Sequence, residues 1–258
     1  MNTPVISIQV IHIAPVKSLG LVQPSTVHIG PAGIAEDRRF FLVDQRGAVL
    51  TQRQVGTLVQ VKPDYQPERE FLRLGFPDGT VVEGVVEIRD PVETILWGRP
   101  VRGNMVSGDW SKVLSKFCGG TVNLVQARQP GECFDEYPIS LLSTASVDGL
   151  RQRPGVGEHL DERRFRPNFL LAGCQAHEED TWLGAQVQLG DGPILRVVAQ
   201  DPRCAITTLN PDTGQPDLDA PSAIKEYRPS PGPAFFGVYA VVDRPGQVSV
   251  GDRVTLAD

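Results

Sequence analysis

Cys204 stands in the run Asp201-Pro202-Arg203-Cys204-Ala205-Ile206-Thr207-Thr208, directly after the apolar stretch Ile194-Leu195-Arg196-Val197-Val198. A thiol beside a guanidinium is placed to form a thiolate, the species that attacks electrophiles and ligates soft metals. A free cysteine can equally be a small buried apolar side chain, and this octapeptide leaves both readings open. Other groups able to do chemistry are dispersed at the ends of apolar runs: Lys17-Ser18, Arg38, Arg53, Ser143, Arg166-Pro167-Asn168 and, beside Arg203-Cys204, Thr207-Thr208. Together they combine cations, short hydroxyls and one thiol. That is the donor set wanted by a phosphate-bearing cofactor with a soft metal at its other end.

Competing chemistries find little support. No GxSxG is present, and the four histidines (12, 28, 159 and 177) have neither HxH nor HxxxH spacing near a cysteine, which argues against hydrolytic triads and zinc sites. His12 and His28 fall in expected strands as packed or half-exposed residues, and His159 and His177 in polar loops as surface residues. The glycine-rich phosphate loops of Rossmann or Walker type are missing, and Gly30-Pro31-Ala32-Gly33 reads as a turn. The cysteines at 118, 133, 174 and 204 form no CxxC pair and are expected to be reduced thiols.

The elements that must position these groups are mostly strands. With 26 Gly, 22 Pro and many short Val/Ile-rich runs between turn residues, the composition predicts a β-rich fold. Strands are expected over 5–13, 25–29, 40–43, 49–53, 58–62, 71–75, 80–83 and 85–89. Residues 44–47 form a hairpin turn. Asp109 is placed to cap a helix over 110–117 that Gly119-Gly120 stops, and a strand follows at 122–125. Ser143 is placed to cap a helix over 144–152, with a mobile turn at 155–158. Phe169-Leu170-Leu171 reads as a strand, a strand pair surrounds Gly190-Asp191-Gly192, and Asp201-Pro202 is expected to end the second of these. A Pro/Asp-rich excursion over 209–233 precedes strands at 235–242 and 248–256. Neither a repeat nor a low-complexity linker separates the halves.

A net charge of −6 argues against a nucleic-acid binder. Of 25 basic residues only five are lysines, and the arginines cluster locally. Guanidinium forks suit a small anionic ligand. No signal-like start and no apolar run of about 18 residues is present. The chain is therefore expected to be soluble and cytoplasmic, with no membrane segment.

Longer motifs carry a resemblance. Pro15-Val16-Lys17-Ser18, Asp37-Arg38-Arg39-Phe40-Phe41-Leu42-Val43 and Leu50-Thr51-Gln52-Arg53-Gln54 resemble the N-terminal β-barrel of two-domain proteins of the MOSC family, named for the C-terminal domain of molybdenum cofactor sulfurase. Phe165-Arg166-Pro167-Asn168, Glu179-Asp180-Thr181-Trp182, Arg203–Thr208 with Asn210–Gly214, and Phe236-Gly237-Val238-Tyr239 resemble the MOSC domain itself. Within the family, the chain resembles the mitochondrial amidoxime-reducing components and bacterial reductases of N-hydroxylated bases in particular.

The resemblance implies a mainly β fold with a few short helices, an N-terminal barrel domain (1–108) packed against a MOSC β-barrel domain (109–258). It implies a molybdenum cofactor with Cys204 as metal ligand. Lys17, Ser18, Arg38, Arg166 and Asn168 would surround the pterin and its phosphate, joined by Arg53, Ser143, Arg203, Thr207 and Thr208, and Tyr239 would stand near the metal. The implied activity is reduction of amidoximes or hydroxylamines. Pro202 departs from the serine of the amidoxime-reducing members, so a hydroxyl contact to the cofactor is not expected. No ferredoxin-like extension follows the MOSC motifs, so electrons are expected from a separate iron–sulfur or flavin protein. Two alternatives are a sulfur carrier or cofactor-maturation module holding a persulfide on Cys204, and a carrier that binds the cofactor without catalysis.

Overall fold

The computed structural model describes residues 5–157 and 160–257. His159 and part of the expected 155–158 turn lie outside the described residues. Strands dominate. A five-stranded sheet runs in the order Val49–Leu50, Phe40–Asp44, Val122–Ala127, Arg99–Val106, Ile88–Leu96, beside a three-stranded meander of Lys62–Gln66, Phe71–Gly75 and Val81–Val85. The first-half core between them gathers Val16, Leu19, Phe40, Leu42, Leu58, Leu72 and Leu124. Phe71–Gly75 alternates buried and exposed residues, the period-two pattern of a half-buried strand, whereas Phe40-Phe41-Leu42-Val43 is buried on both faces.

A seven-stranded sheet forms the second body, in the order Ser7–Ile11, Phe169–Ala172, Ile139–Ser143, Ala234–Arg244, Ile194–Arg203, Gln186–Leu189, Val254–Ala257. Ile8, Ile11, Leu141, Phe169, Trp182 and Val238 fill it. The bodies exchange elements. Ser7–Ile11, first in the chain, pairs with Phe169–Ala172, while Val122–Ala127 pairs with Phe40–Asp44. The architecture is the expected mainly β fold with few helices.

Three α-helices are described: α1 (Trp110–Cys118), α2 (Thr144–Arg151) and α3 (Ala220–Tyr227). Gly119 ends α1 in the left-handed conformation, φ +70°. Asp109 occupies its N-cap position without a side-chain cap bond. Ser143 does cap α2, its Oγ accepting from Ser146 N at 3.1 Å.

Five local readings are corrected. Residues 58–62 are not a strand: a 3-10 turn covers Gly56–Gln60, burying Leu58 and Val59, and pairing begins only at Lys62. The stretch 99–106, not expected as a strand, is one, and α3 interrupts the 209–233 excursion. Asp201-Pro202 does not end its strand. Pairing with Ala234–Arg244 continues to Arg203 because the register shifts between Gln200 and Pro202, and an irregular position spares proline's missing N–H. His177 is not a surface residue. Its Nε2 lies 2.7 Å from the Tyr227 hydroxyl, its ring packs on Phe236, and burial followed by Arg228 pushes its pKa down to about 4.

Gly237 marks the tightest crossing near the cavity described below. Its φ is +82°, and a Cβ there would meet Leu141 O at 2.6 Å. Gly237→Ala combines a left-handed backbone with a clash against a strand carbonyl, so it is expected to cost about 3 kcal/mol. Thermal melting should show a fall of roughly 10 °C for a chain of this size.

Candidate functional site

A cavity of about 590 Å³ opens where loops of both bodies converge. The first body contributes Arg38, Arg53 and the Trp97–Arg99 turn at the tip of the Ile88–Leu96/Arg99–Val106 hairpin; the second contributes Asp135–Tyr137, Ser140, Arg164–Arg166, Asn168, Asp201–Cys204, Thr207 and Tyr239. Of the residues singled out in the sequence, Arg38, Arg53, Arg166, Asn168, Arg203, Cys204, Thr207 and Tyr239 therefore meet in one wall.

The other four do not line it. Lys17, 4% exposed, donates through Nζ to Cys133 O at 3.0 Å and Asp135 Oδ1 at 2.7 Å. Ser18 is buried with φ +73°. Ser143 is committed to capping α2, and Thr208 Oγ1 donates to Ala205 O.

Long-range bonds set the geometry. Asp37 is the first hub: Oδ1 accepts from Ala14 N at 2.7 Å, and Oδ2 from Asn168 Nδ2 at 3.0 Å and from the Arg38 guanidinium. Asn168 also accepts from Ser140 N through Oδ1 at 3.1 Å, so that its bond to Asp37 ties the second body to the first. Arg38 and Arg166 both adopt left-handed backbones, φ +53° and +50°. Such conformations cost about 1–3 kcal/mol each for a side chain of this kind and persist only where the surroundings impose them.

The cysteine's setting follows from its neighbours. Arg203 donates through Nε to Phe236 O at 2.8 Å and through Nη1 to Phe165 O at 2.8 Å, and its Nη2 lies 2.8 Å from Asp201 Oδ2. The guanidinium is thus engaged in fixing the loop. Cys204, extended at φ −122° and ψ 179°, follows the strand and opens the 3-10 turn Ala205–Thr208, where Thr207 Oγ1 donates back to its carbonyl at 2.8 Å. Arg164, with a fully buried side chain, ties that turn down through Thr207 O, Leu209 O and Asp217.

Charge in the wall is unevenly matched: six arginines face Asp135, Glu136 and Asp201. Arg166 donates to Leu19 O at 2.9 Å, but among the described residues no carboxylate lies within ion-pair distance of it. Burial, then the neighbouring Arg38, pushes its pKa down to about 10. Arg99 holds Phe134 O and stacks on the Phe134 ring, and its Nε is buried with no acceptor. Buried donors normally find partners, so the free Nε of Arg99 and the uncompensated charge of Arg166 are features that could hold an anion. Desolvation opposes ionisation of Asp135, yet Lys17 and Arg38 hold its carboxyl below the usual carboxylate range. Asp201 behaves oppositely, as burial pushes it up to about 6 against Arg203 and Tyr239.

Trp97, Arg99, Asp135, Glu136, Tyr137 and Asp201 were not identified as site residues in the sequence. The polar-aromatic run Phe134-Asp135-Glu136-Tyr137 before Pro138 was a usable signal; nothing local pointed to Trp97, which stacks on Arg53 at 4.1 Å and donates to Asp135 at 3.1 Å.

Residues 116–255 match the MOSC domain family, and residues 5–120 match the MOSC N-terminal beta barrel domain. Mitochondrial amidoxime reducing component 2 of Bos taurus is 29% identical over 252 residues, covering 86% of this chain and 74% of the relative. Mitochondrial amidoxime-reducing component 1 of Mus musculus is 27% identical over 277 residues, covering 95% and 80%. Among solved structures, the YUAD protein from Bacillus subtilis aligns over 96% of this chain and 93% of its own at 15% identity, with a TM-score of 0.45. Two matched domains in this order, on the barrel-and-sheet architecture just described, establish that the chain belongs to the MOSC family, in its two-domain form with an N-terminal β-barrel.

Proposed function

We propose that the chain is a molybdenum-cofactor-dependent reductase of N-hydroxylated bases, with Cys204 as the metal ligand. The observation that carries this reading is a free thiol and two guanidiniums with no carboxylate partner among the described residues, Arg166 and Arg99, on the wall of one cavity large enough for a pterin and a small substrate. The donor set fits the cofactor: a thiolate for a soft metal, and Arg38, Arg99 and Arg166 for the phosphate by charge-assisted bonds. Asn168 and Thr207 act from within the wall, Asn168 by tying Ser140 to Asp37 and Thr207 by bonding the Cys204 carbonyl. Bound there, the cofactor supplies two-electron reduction of an N–OH group.

The remaining work belongs to the chain. Lys17 acts from behind the wall by fixing Asp135, and Arg203 by holding the Cys204 turn. Asp135 and Glu136 offer negative charge to a basic amidine or amine, while Trp97, Tyr137 and Tyr239 offer apolar faces to its substituent. Electrons are to come from a separate iron–sulfur or flavin protein.

Protein expressed in a molybdate-replete host is expected to carry molybdenum and pterin and to reduce benzamidoxime to benzamidine with a reduced viologen. Metal analysis and product chromatography check it. A sulfane-sulfur mass increment on Cys204 without turnover would instead establish the sulfur-carrier reading, and bound cofactor without turnover the carrier reading.

A further inference from the structure

One titratable group in the cavity wall has no part in holding either the metal or the phosphate. Asp201 is 2% exposed, yet it lines the cavity together with Cys204 and Tyr239. The groups facing it are Arg203 on its own strand, the Tyr239 phenol on the adjacent Ala234–Arg244 strand, and Asp135 and Glu136 from the loop opposite. Arg38 faces the same phenol from the first body. Asp201 is thus a carboxyl at the edge of a reaction-sized space, held by one guanidinium and one phenol.

We propose that Asp201 is the proton donor to the departing hydroxyl oxygen when the N–O bond of the substrate breaks, with Tyr239 orienting the carboxyl. The role rests on the reductase reading. In the balanced reaction, R–NHOH, two electrons and two protons give R–NH2 and water. The N–O bond breaks as nitrogen takes two electrons that come from the iron–sulfur or flavin donor protein. One proton goes to the leaving oxygen, from Asp201, and one to nitrogen, from water. Solvent entering the cavity then reprotonates the carboxylate. Burial supports the assignment, since it raises the carboxyl to about 6 and keeps a protonated fraction available near neutrality.

The donor must carry its proton, so kcat is expected to fall as pH rises through about 6. Asp201→Asn removes the donor but retains shape and a hydrogen-bonding head group. It is expected to lower kcat at pH 6 by roughly 10²-fold, abolish that alkaline limb, leave KM within about twofold, and retain molybdenum, with a lower melting temperature because the buried Arg203 charge loses its partner. Tyr239→Phe removes a bond that stabilises the carboxylate, so the limb should move to higher pH.

A second readout needs no cofactor. Carbon-13 NMR of aspartate-labelled, cofactor-free protein should show a carboxyl titrating near 6 that is missing from Asp201→Asn and displaced upward in Tyr239→Phe. A carboxyl that titrates below 5, or an Asp201→Asn enzyme that keeps the wild-type kcat and pH profile, overturns the proposal. Should Asp201→Asn fail to fold or load, the Tyr239→Phe shift in both the NMR titration and the kcat profile decides alone, and its absence overturns the proposal. Wild-type protein that titrates at Asp201 but never reduces benzamidoxime overturns the reductase reading and this role with it.

Discussion

Cys204→Ala is expected to eliminate molybdenum retention and amidoxime reduction together. The loss should exceed the roughly 10–100-fold that an outer partner of a metal ligand is worth, because the ligand itself is removed. The fold should hardly notice. Cys204 is only partly buried, its backbone is extended, and the turn behind it is secured by Arg164 and by the Thr207 bond to the Cys204 carbonyl, neither of which involves the thiol. Melting stability is therefore expected to stay within roughly 0.5 kcal/mol of the wild type. Elemental analysis of purified variant and parent, run beside thermal melts, reads both effects. Molybdenum retained at the parental level in Cys204→Ala sinks the ligand assignment. The same variant separates Cys204 from the other thiols: Cys118 and Cys133 lie in or against the first-body cores, and burial pushes Cys133 up to about 12, with Lys17 and Arg99 opposing.

Asn168→Asp is expected to do the reverse, damaging the fold first. In the parent, Asn168 Nδ2 donates to Asp37 Oδ2 and, at 3.3 Å, to His12 O, all in a buried setting. The substitution replaces a donor with a second carboxylate against Asp37. Loss of the bond and like-charge repulsion in a dry site together cost about 3–5 kcal/mol, which corresponds to a fall in melting temperature of roughly 10 °C or more. Two carboxylates this close share a proton, so the folded-state pKa of the pair is raised above its unfolded value. A group of that kind contributes its stability below the unfolded pKa and loses it as pH rises through the folded one. The deficit against the wild type is therefore largest at neutral pH and narrows on acidification, as melts at pH 7 and pH 4.5 should show. A deficit that does not change with pH excludes the like-charge cause. Because Asp37 also holds Arg38 and the Ala14 amide, cofactor loss is expected to accompany the instability.

Much of the local structure was readable in the residues. Ser143 caps α2 and Gly119 stops α1, since capping needs only groups three or four positions away. Strands at 40–44, 71–75 and 169–172 follow from apolar runs whose periodicity is local. Proline 202 misled because the bulge that accommodates it depends on the register with Phe235, a partner from a different strand. His177 misled for the same reason: its loop is polar, but Tyr227 and Phe236 cover it from elsewhere in the chain.

Residue types and motifs alone determined that this protein is a β-rich chain carrying a thiol and scattered arginines, with the motifs of a MOSC protein. Only the tertiary structure decided which of those arginines keep their charge available. Arg163 is taken up by Asp161 and Asp212, and Arg203 by Asp201 and two carbonyls, whereas Arg166, three residues from Arg163, meets no carboxylate among the described residues. It likewise moved Lys17 behind the wall, onto Cys133 O and Asp135 more than a hundred positions away, and turned Asp201 from a supposed strand breaker into a buried carboxyl. Ion pairing and desolvation are set by what the fold brings within a few ångströms, and those partners come from distant segments.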